Sequence, residues 1–224
     1  MVYRALIRLS TISEQKIFQE GFQAADPSKT ALDIGANRGI VSYFMSRRFA
    51  KVHSFEPNAD LGVFLKKVLP PNCTLHQCAL SYEMGESELA LAMESGIAIH
   101  GRGKILEAPE PSQSYAVQKI KLETLDSQGL KNIGFIKIDV EGHEEKVIRG
   151  GLNTLRESKP VLIVEIEKRH AGKPAGETIA LIESLGYNGY FFENGQRHPV
   201  SEFRESMQDP DYPYYINDFL FLPK

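Results

Sequence analysis

The chain has 224 residues, with 26 basic and 29 acidic side chains and a formal charge of −3. That length suits one ordinary α/β domain and is short for two, and a near-balanced charge without a basic stripe gives nucleic-acid binding no electrostatic footing. Hydrophobic residues make up 42% and charged residues 25%, a globular composition, with no apolar run of membrane-spanning length; the opening MVYRALIRLS has no continuous apolar stretch, and a secretory leader is not expected there. A single domain over 1–224, cytoplasmic and with neither a nucleic acid nor a membrane as partner, is the expectation.

Residues 1–27 are expected to form a helical lead-in, because Ile17, Phe18 and Phe22 recur near helical spacing before Asp26-Pro27 closes it. Strand and helix then alternate: strand 30–34, helix 40–49, strand 51–56, helix 59–69 stopped by Pro70-Pro71, and strand 74–79. Cys73 and Cys78 are the only cysteines and fit neither a disulfide framework nor a zinc site, so both are expected reduced in that third strand and its entry turn. Residues 81–126 break the alternation. Segments 88–93 and 116–122 read as an antiparallel pair, and 94–115 is rich in glycine and proline without a helical period. A stretch of that length without regular structure is expected to serve as a lid or acceptor-binding loop, with Ser95, His100 and Arg102 as candidate contacts. Strand 135–140, helix 144–155, strand 160–166, helix 177–185 and strands 190–193 and 218–222 complete the chain. Such alternation implies a parallel sheet with helices on both faces, and the runs FIKIDV and VLIVEI suit strands buried on both sides.

Two acids punctuate the first half of this pattern. Residues 32–39 read LDIGANRG, a strand running through Asp33 into a glycine turn and then a helix. Gly35 and Gly39 permit positive φ and close approach to a ligand, Asn37 lies between them, and the helix that follows directs N–H groups toward the turn. The G-x-G-x-x-G spacing of a nicotinamide site is absent, and Asp33 stands where a pyrophosphate tolerates no negative charge. A ligand with a cationic or hydroxyl-rich end, such as S-adenosylmethionine, suits that carboxylate better. Glu56-Pro57-Asn58 follows the second strand about 20 residues on, where an acid reaches a ribose diol and accepts from both hydroxyls.

The second cluster closes the strand at 135–140. Asp139, Glu141 and His143 crowd its carboxyl end, where ligands of open parallel sheets bind, and three titratable groups within five residues are costly to desolvate without a ligand. Glu144 and Glu145 fit the first turn of the following helix by dipole alone. Glu165 ends the next strand on the same rim. Nothing in the spacing is diagnostic of a metal, and none is expected.

The segments DIGANRG, SFEPN, Cys78-Ala79-Leu80, KLETLD and IKIDVEGHEEKVIRGG together resemble the FkbM family of S-adenosylmethionine-dependent methyltransferases. The resemblance implies the Rossmann-like class I methyltransferase fold, a seven-stranded, mostly parallel sheet in the order 3-2-1-4-5-7-6 with helices on both faces. It further implies O-methylation of a hydroxyl on a small molecule or glycan. In that frame Asp33, Gly35, Asn37, Gly39, Glu56, Pro57, Asn58, Cys78, Ala79 and Asp139 are the expected cofactor contacts. His143 is the expected general base, for its ordinary pKa near neutrality, with Glu141 orienting it or acting itself and Asp139 beside the cofactor amino group. The alternatives are transfer to nitrogen or carbon, and a cofactor-binding module without turnover.

Overall fold

The computed structural model describes residues 15–94, 97–106 and 115–224. Its elements in chain order are α1 (Lys16–Ala24), β1 (Thr30–Ile34), α2 (Ile40–Ser46), β2 (Lys51–Phe55), α3 (Ala59–Val68), β3 (Cys73–His76), β4 (Ala79–Leu80), β5 (Gly85–Glu94), β6 (Ile97–Leu106), β7 (Tyr115–Glu123), β8 (Ile133–Ile138), α4 (Glu144–Arg149), α5 (Leu152–Ser158), β9 (Val161–Glu165), α6 (Lys168–Ala171), α7 (Ala175–Ser184), β10 (Tyr187–Glu193), β11 (Gln196–Pro199) and β12 (Asp218–Pro223). Of the expected lead-in, α1 is present and residues 1–14 lie outside the described residues.

Eight strands form the main sheet, in the order β11-β10-β12-β9-β8-β1-β2-β3. Strands β3, β2, β1, β8 and β9 are mutually parallel, and β12 runs antiparallel between β9 and β10. The sheet is wider than the seven strands expected because β10 turns back at Asn194-Gly195, both left-handed (φ 49° and 74°), into β11. Two consecutive positive φ angles with Asn-Gly are what a tight hairpin requires.

Period-two alternation divides the strands between two apolar layers. Ala31, Val52, Phe135 and Ile163 face Ile17, Phe18, Met45 and Phe49, from α1, α2 and the turn after α2. Leu32, Ile34, Ile136, Ile138, Leu162 and Val164 face Val147, Ile148, Leu155, Ile179 and Ile182 of α4, α5 and α7. Helices thus cover both faces.

Three expectations change. The third strand leaves the main sheet at His76, and Ala79–Leu80 joins a second sheet of order β4-β7-β5-β6. The pairing of β5 with β7 is antiparallel as expected, but much of the supposed loop at 94–115 is strand β6, antiparallel to β5. His100 and Arg102 lie on β6, whereas Ser95 lies outside the described residues. Glycine had disguised the strand: Gly103 pairs with Leu91, and a Cβ on it would press Leu89 and Leu91 at 3.1 and 3.2 Å. Finally, the helix expected over 144–155 is two helices. A Cβ at Gly150 would sit 1.9 Å from the Ser81 carbonyl oxygen, so the chain passes too close there for any other residue, and α5 restarts on Asp126, which accepts from the Asn153 and Thr154 amides.

Candidate active site

Strands β1, β2 and β8 end together at one edge of the sheet. Their register sets Asp33 between Ser54 and Lys137, all pointing to the face of α2. Asp33 is wholly buried; Ser42 of α2 donates to its Oδ2 at 2.5 Å and lies 2.8 Å from Ser54 Oγ, while its Oδ1 has no hydrogen-bond partner. Burial pushes the Asp33 carboxyl up, opposed chiefly by the Lys137 ammonium 3.7 Å from Oδ1.

The turn that follows holds three left-handed residues, Gly35 (φ 79°), Asn37 (50°) and Gly39 (74°). Gly35 and Ala36 donate their amides to the Phe55 carbonyl at 3.0 and 2.9 Å. Protein neighbours already require these glycines: a Cβ on Gly35 would lie 1.8 Å from the Asp139 carbonyl oxygen, and one on Gly39 would lie 2.7 Å from Leu65 Cδ2. Their positive φ is as expected, and the protein contacts alone already demand glycine at both positions.

Glu56 closes the turn from β2. Its Oε2 accepts from the Asn37 amide at 2.8 Å and its Oε1 from the Asn58 amide at 2.9 Å. Burial raises this carboxyl to about 7 even though both amides favour its charge. Each oxygen keeps a second lone pair, so two further donors can be accepted. Asn58 has a structural task, its Oδ1 capping α3 through the Asp60 and Leu61 amides at 2.9 and 3.2 Å, and Pro57 is half-buried between the two. Cys78 and Ala79 are both about 5% exposed, the former in the main core and the latter in the core of the second sheet; the two cysteines are free thiols.

Across the crevice, Asp139 follows β8 with its side chain 35% exposed and 3.1 Å from Lys137 Nζ. Burial opposes its charge, but Lys137 and a hydrogen bond with Glu165 prevail and hold its carboxyl below the ordinary range. Glu165 shifts the other way, to about 10, through burial and that same hydrogen bond. The two carboxyls are thus pushed apart, Asp139 toward its charged form and Glu165 toward its neutral one. Asn217 donates to both Glu165 and Glu167.

Glu141 adopts φ 53°, a left-handed conformation that L side chains rarely take. Its Oε2 lies 2.8 Å from Nδ1 of His170, which is also 3.6 Å from Glu167. Burial, then the charges of Asp139 and Glu167, raises the Glu141 carboxyl to about 7. The turn is built to meet α6, since the Cβ position of Gly142 would fall 2.5 Å from the His170 carbonyl oxygen. Glu144 clamps the same turn by accepting from the Val140 and Gly142 amides, a tighter role than the helix-dipole contact expected of it. Glu141 was expected to orient His143 or to act itself; its carboxylate meets His170, and His143 is buried with Nε2 2.9 Å from Ser81 Oγ.

Lys137, His170 and Glu167 thus join the site without having been singled out. Lys137 did leave a trace, as a cation inside an apolar run buried on both faces. Nothing in Lys168-Arg169-His170 marked the histidine. Among the described residues, no group of three or more His, Cys, Asp or Glu side chains is placed to hold a metal ion, and no helix is long and apolar enough to cross a membrane.

Comparison with known proteins bears on this edge of the sheet. The methyltransferase FkbM domain matches residues 33–189, from Asp33 through β10's start. A hexuronic acid methyltransferase, AglP of Haloferax volcanii, is 30% identical over 169 residues, 71% of this chain and 63% of that protein. Methyltransferase FkbM from Methylobacillus flagellatus superposes with a TM-score of 0.53 at 16% identity, over 87% of this chain and 44% of that one. A putative methyltransferase of Streptococcus mutans, in complex with SAH, does so at 0.52 and 9% identity, over 92% and 94%. The chain spans less than two thirds of the length of the Haloferax relative and under half of the Methylobacillus chain. These structural neighbours share the α/β methyltransferase fold, and with the domain matched over most of its length the chain belongs to the methyltransferase FkbM domain family.

Proposed function

We propose that the chain transfers a methyl group from S-adenosylmethionine to a hydroxyl of a small molecule or glycan, with a uronic acid glycoside as the acceptor class to test first. The observation that carries this is the convergence of Asp33, Glu56 and Asp139 around a left-handed turn at the carboxyl edge of β1, β2 and β8. The donor set fits the cofactor: Glu56 has two lone pairs left for a diol, and Asp139 offers an ionised, part-exposed carboxylate to an ammonium. The name of the Haloferax relative supports a uronic acid as acceptor.

Bound there, S-adenosylmethionine supplies a methyl group on a cationic sulfur, so the hard chemistry is the cofactor's. The protein's share is to hold and to move a proton. Glu56 receives the ribose, Asp139 the amino group, and Asp33 with Gly35, Asn37 and Gly39 sets the turn between them. Pro57 and Asn58 fix the exit of β2, and Cys78 and Ala79 form the adenine side. An alcohol loses its proton as it is methylated, and a positioned base contributes about 10²–10⁴-fold. Glu141 with His170 suits that task better than His143, because a carboxyl near 7 on the rim is poised to exchange a proton at neutral pH whereas His143 is buried against Ser81.

Calorimetry of the protein with S-adenosylmethionine and S-adenosylhomocysteine, beside Glu56→Ala, is the test. Micromolar binding that the variant loses supports the cofactor site and opens acceptor screening with methyl glucuronoside and related glycosides. A folded protein that binds neither compound refutes the proposal.

A further inference from the structure

Lys137 links the Gly35 carbonyl, Asp33 and Asp139 through one ammonium. It lies on β8 in register with Asp33 on β1, and its side chain is 9% exposed. Its Nζ donates to the Gly35 carbonyl at 3.1 Å, lies 3.1 Å from Asp139 Oδ2 and 3.7 Å from Asp33 Oδ1. A strand position buried among Phe135, Ile136 and Ile138 is expensive for a cation. An apolar residue there would serve the sheet as well if packing were the only demand.

We infer that Lys137 is a positioning residue for the methionine portion of the cofactor, fixing the glycine turn and the Asp139 carboxylate in one frame through a single buried ammonium. The inference rests on the methyltransferase reading above. Three observations support it. Asp33 Oδ1 has no hydrogen-bond partner, so the ammonium is what compensates that buried oxygen. The turn and the end of β8 are in contact, with the Cβ position of Gly35 falling on the Asp139 carbonyl, and Lys137 ties both sides of that contact. Lys137 also keeps Asp139 ionised against burial, which is the state that accepts from an ammonium. The adenine and ribose contacts lie elsewhere, on β2 and beyond β3.

The test separates the two ends of the ligand. S-Adenosylhomocysteine carries the amino-acid portion, and 5′-methylthioadenosine has the same nucleoside without it. Lys137→Met alone leaves Asp33 buried and uncompensated, so the substitution is made in an Asp33→Asn background and compared with Asp33→Asn alone, with thermal melts to confirm folding. Adding Lys137→Met is expected to weaken S-adenosylhomocysteine about 10–100-fold, as loss of charge-assisted hydrogen bonds does, with 5′-methylthioadenosine binding unchanged. Equal losses for the two ligands would mean Lys137 only supports the fold, and an unchanged or tighter S-adenosylhomocysteine would mean it does not position the methionine end; either overturns the inference. Wild-type protein that binds neither ligand would instead refute the methyltransferase function itself, a result seen before any variant is made.

Discussion

The two sides of the crevice use their carboxylates in opposite ways. On the β2 side Glu56 is engaged by main-chain amides of residues 37 and 58, and Asp33 by Ser42. On the β8–β9 side the acids meet one another and a histidine: Asp139 with Glu165, Glu141 with His170, and Glu167 beside both His170 and Asn217. Amide-bound carboxylates are held in place, while acids facing acids have affinities for protons that diverge, from Asp139 below its usual range to Glu165 at about 10. The first arrangement suits gripping a ligand, a task Asp139 shares from across the crevice through Lys137, whereas the Glu141–His170 pair suits passing a proton. That division is open to attack from either side.

The largest effect is expected at the rim. With a uronic acid glycoside as acceptor, Glu141→Gln should lower turnover by about 10²–10⁴-fold and leave S-adenosylhomocysteine affinity unchanged by calorimetry. A parallel loss of affinity would show that Glu141 grips as well, and the contrast would fail. Glu56→Gln should behave inversely, weakening S-adenosylhomocysteine about 10–100-fold as a charge-assisted contact is lost, with a smaller effect on turnover once the cofactor is saturating.

The gripping side was far more legible in the sequence than the rim, and the reason is distance along the chain. Asp33, Gly35, Gly39 and Glu56 lie within one strand–turn–helix–strand unit, where local geometry constrains spacing. The partnership of Asp33 with Lys137 depends on β1 pairing with β8, about a hundred residues later, and no spacing rule reports that register. Glu141 and His170 belong to segments following different strands, joined because Gly142 packs on the His170 backbone. The second sheet was half legible for a similar reason. The partners β5 and β7 carry apolar runs, whereas β6 is interrupted by Gly101 and Gly103, and β11 is four residues with no apolar alternation.

A pH dependence should follow from the same contrast. Glu56 has a carboxyl near 7 in the free protein, and accepting from a diol favours its ionised form, so binding expels a proton. Affinity for S-adenosylhomocysteine should therefore fall as pH drops below 7, by at most about tenfold per unit, and level off above about 8. In Glu56→Gln that slope should vanish. If it persists, the titrating group is elsewhere, with Glu141, also at about 7, the first suspect. A milder effect is expected from Asn58→Ala, which removes the cap of α3 but not the amide that Glu56 accepts from. It should cost about 0.5–2 kcal/mol in urea unfolding, with cofactor affinity little changed. A large loss of affinity would make the Asn58 side chain a ligand contact in addition to a cap.

The smallest effect on turnover is expected at His143, although its ordinary pKa made it the most attractive base in the sequence. The residue is 7% exposed, and its Nε2 is 2.9 Å from Ser81 Oγ. Ser81 in turn donates its amide to the Glu123 carbonyl, and its own carbonyl fills the space beside Gly150, so the histidine secures the junction of α4 with the second sheet. His143→Ala should accordingly destabilise the protein by about 1 kcal/mol or somewhat more, as a lost buried hydrogen bond does, while turnover below the melting transition stays within a few-fold of wild type. Ser81→Ala should reproduce the destabilisation, and the double variant should cost little beyond either single change, because both remove the same contact. A collapse of turnover in His143→Ala with stability intact would place the base under the second sheet instead of at Glu141 in the turn after β8, and the rim would lose its claim to the proton.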